Sequence, residues 1–185
     1  ACGRGGLSAR GRRRRYSGDG AAGAGGGMAV ARRLARNFGD NLLGVDLAIE
    51  SDLPEASGMS SSSALVCLTF IVLARRNSLA AHPIFTSAGL GAPEHLCHYL
   101  GCIENGSSCG ESLPGDAGVG TFGGSEDHTA IMCCEAQRLR VYSFCPTRLE
   151  ADTPFCTSLR LVIAASGALA RKTAERMQDY NCATV

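Results

Sequence analysis

The sequence predicts an α+β domain organised around an anion-binding turn, and three observations carry that expectation. A strand pattern at Leu43–Glu50 runs into Leu53-Pro54-Glu55-Ala56-Ser57-Gly58-Met59, where Pro and Gly mark a turn. Ser60, Ser61, Ser62 and Ser63 follow, and then an apolar run from Ala64 to Arg76, long enough for a helix. Beyond it, helical and strand-like patterns are interleaved through the remainder of the 185 residues.

Charge and composition narrow the classes. The formal net charge is +1, so no global field argues for nucleic acid or a membrane surface. No apolar run reaches the ~20 residues of a membrane-spanning helix. Ten cysteines invite a disulfide scaffold. Cys67 falls in the apolar helix, however, and Cys133-Cys134 in an apolar strand-like run, where thiols serve as small hydrophobes. No secretory signal is read at the start, and a reduced, cytoplasmic protein is expected.

Residues 1–27 are rich in Gly and Ala around Arg12-Arg13-Arg14-Arg15 and are expected to be disordered. Met28 to Phe38 is helical in pattern, with Val30, Leu34 and Phe38 on one face and Arg32, Arg33 and Arg36 elsewhere; Gly39 stops it. In the following strand Val45, Leu47 and Ile49 face one way, Asp46 and Glu50 the other. Ala64–Arg76 is apolar almost all round, which predicts burial. Asn77 to Pro93 is a connection, and a second helix starts at Pro93-Glu94 and ends at Gly106, since Pro suits a first turn and Gly a stop.

His95, Cys97, His98, Cys102 and Cys109 invite a metal reading. Their spacings match none of the usual structural zinc sites, so buried helix positions and loop residues are expected instead. Asn105 to Ser125 is a glycine-dense loop. Strands are expected at Thr129–Cys134, Leu139–Phe144 and Arg160–Ala165, then a helix through Tyr180-Asn181.

The turn has its own chemistry. A strand, a turn and a helix start bring backbone N–H groups and the positive end of a helix dipole to one spot, which suits phosphate. Gly58 allows φ > 0 there. A Ser-rich N-cap ahead of a buried helix is the plain alternative.

The order Pro-x-x-x-Gly-Met-Ser-Ser-Ser-Ser-Ala at residues 54–64 resembles the nucleotide-binding loop of the GHMP small-molecule kinases, usually Pro-x-x-x-Gly-Leu-Ser-Ser-Ser-Ala. Met59 replaces Leu and one Ser is additional. Val119-Gly120-Thr121-Phe122-Gly123-Gly124-Ser125-Glu126-Asp127-His128 is similar to the galactokinase segment ending Gly-Gly-x-Met-Asp-Gln. Leu161–Gly167 with Tyr180-Asn181 is similar to that branch's Val-Ile-x-x-Ser-Gly strand and its downstream Tyr-Asn. Gly39-Asp40-Asn41-Leu42-Leu43-Gly44 only mimics the galactokinase sugar signature: it lies too near the serines and lacks the Arg and the Glu-His.

The resemblance implies a GHMP-like nucleotide-binding domain with a mixed β-sheet and helices on one side, incomplete at both ends. It implies residues 28–150 as part of the N-terminal domain and 151–185 as the start of a second. It further implies transfer of the ATP γ-phosphate to a sugar hydroxyl, the anomeric hydroxyl of galactose or a relative. Nucleotide contacts fall on Pro54, Glu55, Ala56, Ser57, Gly58, Met59, Ser60, Ser61, Ser62, Ser63 and Ala64. Mg²⁺ falls to Glu104 with Ser62 or Ser63, the base to Asp127, and substrate contacts to Gly123, Gly124, Asp127, His128 and Tyr180. The upstream sugar signature and the late glycine-rich loop of the family have no counterpart, so these 185 residues alone are expected to bind Mg·ATP weakly and to be catalytically silent. A non-catalytic sugar- or nucleotide-binding relative, or more remotely a small Cys/His metal-binding module, is the alternative.

Overall fold

The computed structural model describes residues 14–16, 21–39, 41–53, 58–120, 122–144, 146–162, 164 and 182, with backbone only at 14–16 and 21–24. Among these, the class is α+β. The elements are β1 (Arg14–Tyr16), α1 (Ala21–Phe38), β2 (Ile49–Ser51), α2 (Ser61–Arg76), α3 (Pro83–Ser87), α4 (Pro93–Asn105), α5 (Glu126–Cys133), β3 (Arg138–Phe144) and β4 (Thr147–Pro154), with one 3₁₀ turn at Leu79–Ala81. Strand pairing among the described residues is antiparallel throughout, β1 with β2 and β3 with β4, where a mixed sheet is expected.

The core lies between α1, α2 and α4. Val30, Leu34 and Phe38 meet Val66, Cys67, Phe70 and Leu73, and Tyr99, Leu100 and Ile103 close the cluster. Edge-on ring contacts of Phe38 and Phe70 with Tyr99, at 6.4 and 6.1 Å, are the favourable geometry for aromatic pairs. α4 forms where its punctuation predicts. Pro93 supplies a pre-set φ without needing its missing N–H, and Gly106 terminates the helix at φ 81°.

Other elements depart from expectation for identifiable reasons. α1 starts at Ala21, inside the segment expected to be disordered, and Gly26 packs beside Leu65 and Val66 of α2. Arg14–Tyr16 pairs with Ile49–Ser51. Of the 43–50 pattern only Ile49 and Glu50 form a strand, yet Val45, Leu47 and Ile49 are half-buried while Asp46 and Glu50 are exposed. The alternation therefore marks which face is covered, not which residues are hydrogen-bonded. α2 is less enclosed than its composition predicts: Leu68 and Ile71 are exposed.

Thr129–Cys134 is no strand. Ser125 caps a helix there, its carbonyl accepting from both the Thr129 N–H and the Thr129 hydroxyl at 2.8 Å. β4, which the sequence pattern does not reveal, pairs with β3 across a bulge at Val141/Tyr142 and runs unbroken through residues 150 and 151. Arg160 to Val162 and Ala164 have no strand structure. The expected helix before Tyr180-Asn181 lies outside the described residues.

Arg33 and Asn37 are the main surprise inside the core. Both are buried on α1, although Arg33 belongs to the polar set of the helical pattern. Arg33 donates from Nε to Asn37 Oδ1 at 2.8 Å and from one terminal nitrogen to the Ser107 carbonyl at 2.6 Å. Its guanidinium lies 5.6 Å from the Tyr99 ring centre, and the Tyr99 hydroxyl donates to Asn37 Oδ1 at 2.8 Å. Asn37 Nδ2 in turn donates to the Pro114 carbonyl at 3.0 Å. A buried guanidinium needs its fork of donors satisfied, and loop carbonyls satisfy it here. The glycine-dense loop after α4 is thus pinned to α1.

Candidate functional site

The N-terminus of α2 turns on two residues with positive φ, Gly58 at 73° and Ser60 at 52°. Gly58 adopts that conformation without a Cβ penalty, as its position in the turn requires. Ser60 precedes the helix, its carbonyl accepting from the Ala64 N–H at 3.0 Å, and its side chain caps nothing. Among the described residues no side chain caps the first N–H groups of α2, which leaves them available to an acceptor from outside the helix. Ser61 is exposed, Met59 is exposed, and Ala64 is half-buried.

Ser62 and Ser63 point instead across the interface to α4. Ser62 Oγ donates to Glu104 Oε1 at 3.0 Å, and Ser63 Oγ lies 2.8 Å from Glu104 Oε2 and 3.5 Å from Asp127 Oδ2. Glu104 reaches this position because α4 runs on to Asn105 before Gly106 stops it. Asp127 reaches it as the second residue of α5, just past the tight Gly123-Gly124 approach. That approach is fixed by Asn105, which exchanges hydrogen bonds with the Gly123 backbone through both ends of its amide.

His128 closes the far side. It is only 2% exposed, and its Nε2 sits 3.0 Å from Glu104 Oε2. Burial by itself raises the Glu104 carboxyl, but the His128 contact and the hydroxyls of Ser63 and Ser62 outweigh it and hold the group below its ordinary range. One turn down α2, Cys67 feels the same environment in the opposite sense. Burial, then the nearby Glu104 charge, pushes its thiol up to about 12, so it stays neutral.

Ser63, Glu104, Asp127 and His128, with Asn105, Phe122, Gly123, Gly124 and Glu126, line one polar cavity of about 150 Å³. The structure thus brings together Ser62, Ser63, Glu104, Gly123, Gly124, Asp127 and His128. Pro54, Glu55, Ala56, Ser57 and Tyr180 lie outside the described residues. Asn105 is the site residue that the sequence reading missed; its place beside Glu104 at the end of a well-punctuated helix was the available signal.

Hydroxyl and carboxylate oxygens face one small cavity beside this helix N-terminus, and such oxygens could hold a hard cation while the helix N–H groups could donate to phosphate. A family model described as the GHMP kinases N terminal domain matches residues 27–124, just over half of the chain. The chain belongs to the GHMP kinase family, whose members use ATP in kinase-type phosphoryl transfer. The match stops short of Asp127 and His128. Neither a curated protein nor a solved structure matches the chain.

Proposed function

We propose that this protein transfers the γ-phosphate of ATP to a sugar hydroxyl, the anomeric hydroxyl of galactose or a related hexose being the favoured acceptor. The observation that carries the reading is Ser63, buried at the α2 N-terminus within reach of both Glu104 and Asp127. Phosphoryl transfer asks a protein for positioning and charge neutralisation more than for covalent chemistry, and this arrangement offers both.

Each residue has a role in that reading. The N–H groups of Ser61, Ser62 and Ser63 receive nucleotide phosphate oxygens, together with the preceding residues Pro54 to Met59. The donor set of serine hydroxyls and Glu104 is all hard oxygen, which fits Mg²⁺ and no soft metal. When bound, Mg²⁺ neutralises phosphate charge. Ser63, the more buried serine with two carboxylate neighbours, is the better candidate for that ion, and Ser62 holds the other oxygen of Glu104.

Asp127 accepts the proton of the sugar hydroxyl as that oxygen attacks phosphorus. Gly123 and Gly124 line the cavity beside it, where the reading places the acceptor. His128 is enclosed against Glu104, where it orients that carboxylate, and it lines the cavity in which the reading places its contact with the sugar. In the reading, residues 28–150 are part of the N-terminal domain and 151–185 the start of a second, a boundary that falls within β4.

The test is hexose-dependent ADP release by the intact protein with Mg·ATP, run beside calorimetric ATP titration. Release with galactose or a close relative supports the reading. ATP binding with no transfer to any hexose would make the protein a nucleotide-sensing relative, and no ATP binding would remove the reading altogether.

A further inference from the structure

A second constellation lies on the other side of α4, away from the serines. His98 and Cys102 are four residues apart on one helix, so they share a face. His98 Nε2 lies 3.7 Å from Cys102 Sγ. Cys109 enters from the loop after Gly106, where its N–H donates to the Leu113 carbonyl at 2.9 Å in an antiparallel bridge. The ligand atoms of all three lie within 4.8 Å of one another.

The His98–Cys102 separation is that of two ligands around one ion. Tetrahedral zinc with ordinary bond lengths holds two sulfurs about 3.8 Å apart, and a sulfur and an imidazole nitrogen about 3.6 Å apart. Two thiols and an imidazole are also a chemically selective set. They suit zinc and its thiophilic neighbours and are unsuited to Mg²⁺, which demands hard oxygen. Cys102 is buried, Cys109 half-buried and His98 exposed, so the trio opens toward solvent on one side. A cleft of about 330 Å³, lined in part by Glu94, His95, His98 and Cys109, lies on that side and gives a water access as fourth ligand.

The loop that brings Cys109 here is not loosely placed. Arg33 and Asn37 hold it from α1 through the Ser107, Leu113 and Pro114 carbonyls. At its far end the Val119 N–H donates to the Glu104 carbonyl at 2.9 Å. A metal at the trio would add a third tie, to α4, in a segment that returns directly to the Glu104 backbone. The sequence spacing, His-x₃-Cys-x₆-Cys, matches no common structural site, which is why folding rather than spacing shows the grouping.

We propose that His98, Cys102 and Cys109 bind one zinc-class cation, with water as the fourth ligand, and thereby fasten the 106–118 loop to α4. Binding exchanges two S–H bonds for two metal–sulfur bonds and releases both protons to solvent. This site is independent of the kinase reading, since none of its ligands lines the serine cavity.

The test is titration of the reduced, intact chain with Co²⁺ and Zn²⁺, combined with amide hydrogen exchange. One equivalent of Co²⁺ with a thiolate-to-cobalt charge-transfer band is expected, displaced by Zn²⁺ but not by Mg²⁺. Exchange across residues 107–117 slows on Zn²⁺ addition. Cys109→Ser and His98→Ala each weaken or abolish the band while the far-UV circular dichroism stays that of the parent; Cys156→Ser leaves the band unchanged. A band unchanged in both variants, no stoichiometric binding by the reduced chain, or a Cys102–Cys109 disulfide that resists reductant would each overturn the proposal.

Discussion

Ser63 Oγ donates to Glu104 Oε2 at 2.8 Å, joining the first turn of α2 to the last turn of α4. Both side chains are buried. Removing a partner from a buried charged group costs its desolvation, about 1–3 kcal/mol. Ser63→Ala should therefore lower stability by that order in urea denaturation, while Ser62→Ala, half-buried, costs about 1 kcal/mol or less. Mg²⁺-dependent ATP affinity should follow the same order. Equal effects of the two substitutions would place the metal-facing hydroxyl elsewhere.

The same pair predicts a pH response. Glu104 is held below its ordinary range when folded, so its contribution is present in full above the unfolded value, about 4.3. It is lost as pH falls through the lower, folded value. The thermal midpoint of the protein should drop from pH 5 toward pH 3 more steeply than that of Glu104→Gln, which has no proton to take up. Parallel curves for the two proteins would show that Glu104 is not held ionised.

Part of this was legible in the sequence, and the physics says which part. Pro93 and Gly106 bracket α4 because each has a backbone preference that acts locally, and Glu104 was placed by that helix. The serine turn was legible through its resemblance to a nucleotide loop, with Gly58 at positive φ as its composition requires. Thr129–Cys134 was misread because a short apolar run reads alike as strand or helix, and only the Ser125 carbonyl decides it. Arg33 was misread because an arginine in a helical pattern reads as solvated. What buries it are carbonyls of Ser107 and Leu113, supplied by a loop far along the chain.

Arg33 therefore carries a prediction of its own. Arg33→Lys keeps the charge but loses the planar fork that serves Asn37 and two loop carbonyls at once. A loss of about 2–3 kcal/mol is expected, with faster hydrogen exchange or proteolysis confined first to the 106–118 loop. An unchanged urea midpoint would show that the loop holds its position without the guanidinium.

Asp127 bears the sharpest consequence of the proposed function. It occupies the first turn of α5, half-buried, with Ser63 Oγ 3.5 Å from its carboxylate. A general base must meet the proton it takes at hydrogen-bond distance, and the cavity beside Gly123 and Gly124 leaves that place for an acceptor hydroxyl. Asp127→Asn preserves size and the ability to accept from Ser63 while removing the capacity to take a proton. Turnover of the intact protein should then fall by about 10²–10⁴-fold, the usual share of a general base. ATP affinity should stay near that of the parent, because the N–H groups of α2 and the Glu104 carboxylate are untouched. Glu126→Gln is the paired control: Glu126 also lines the cavity but is exposed one residue before, and should change turnover little. A large loss in Glu126→Gln with full activity in Asp127→Asn would move the base by one residue and reverse the assignment.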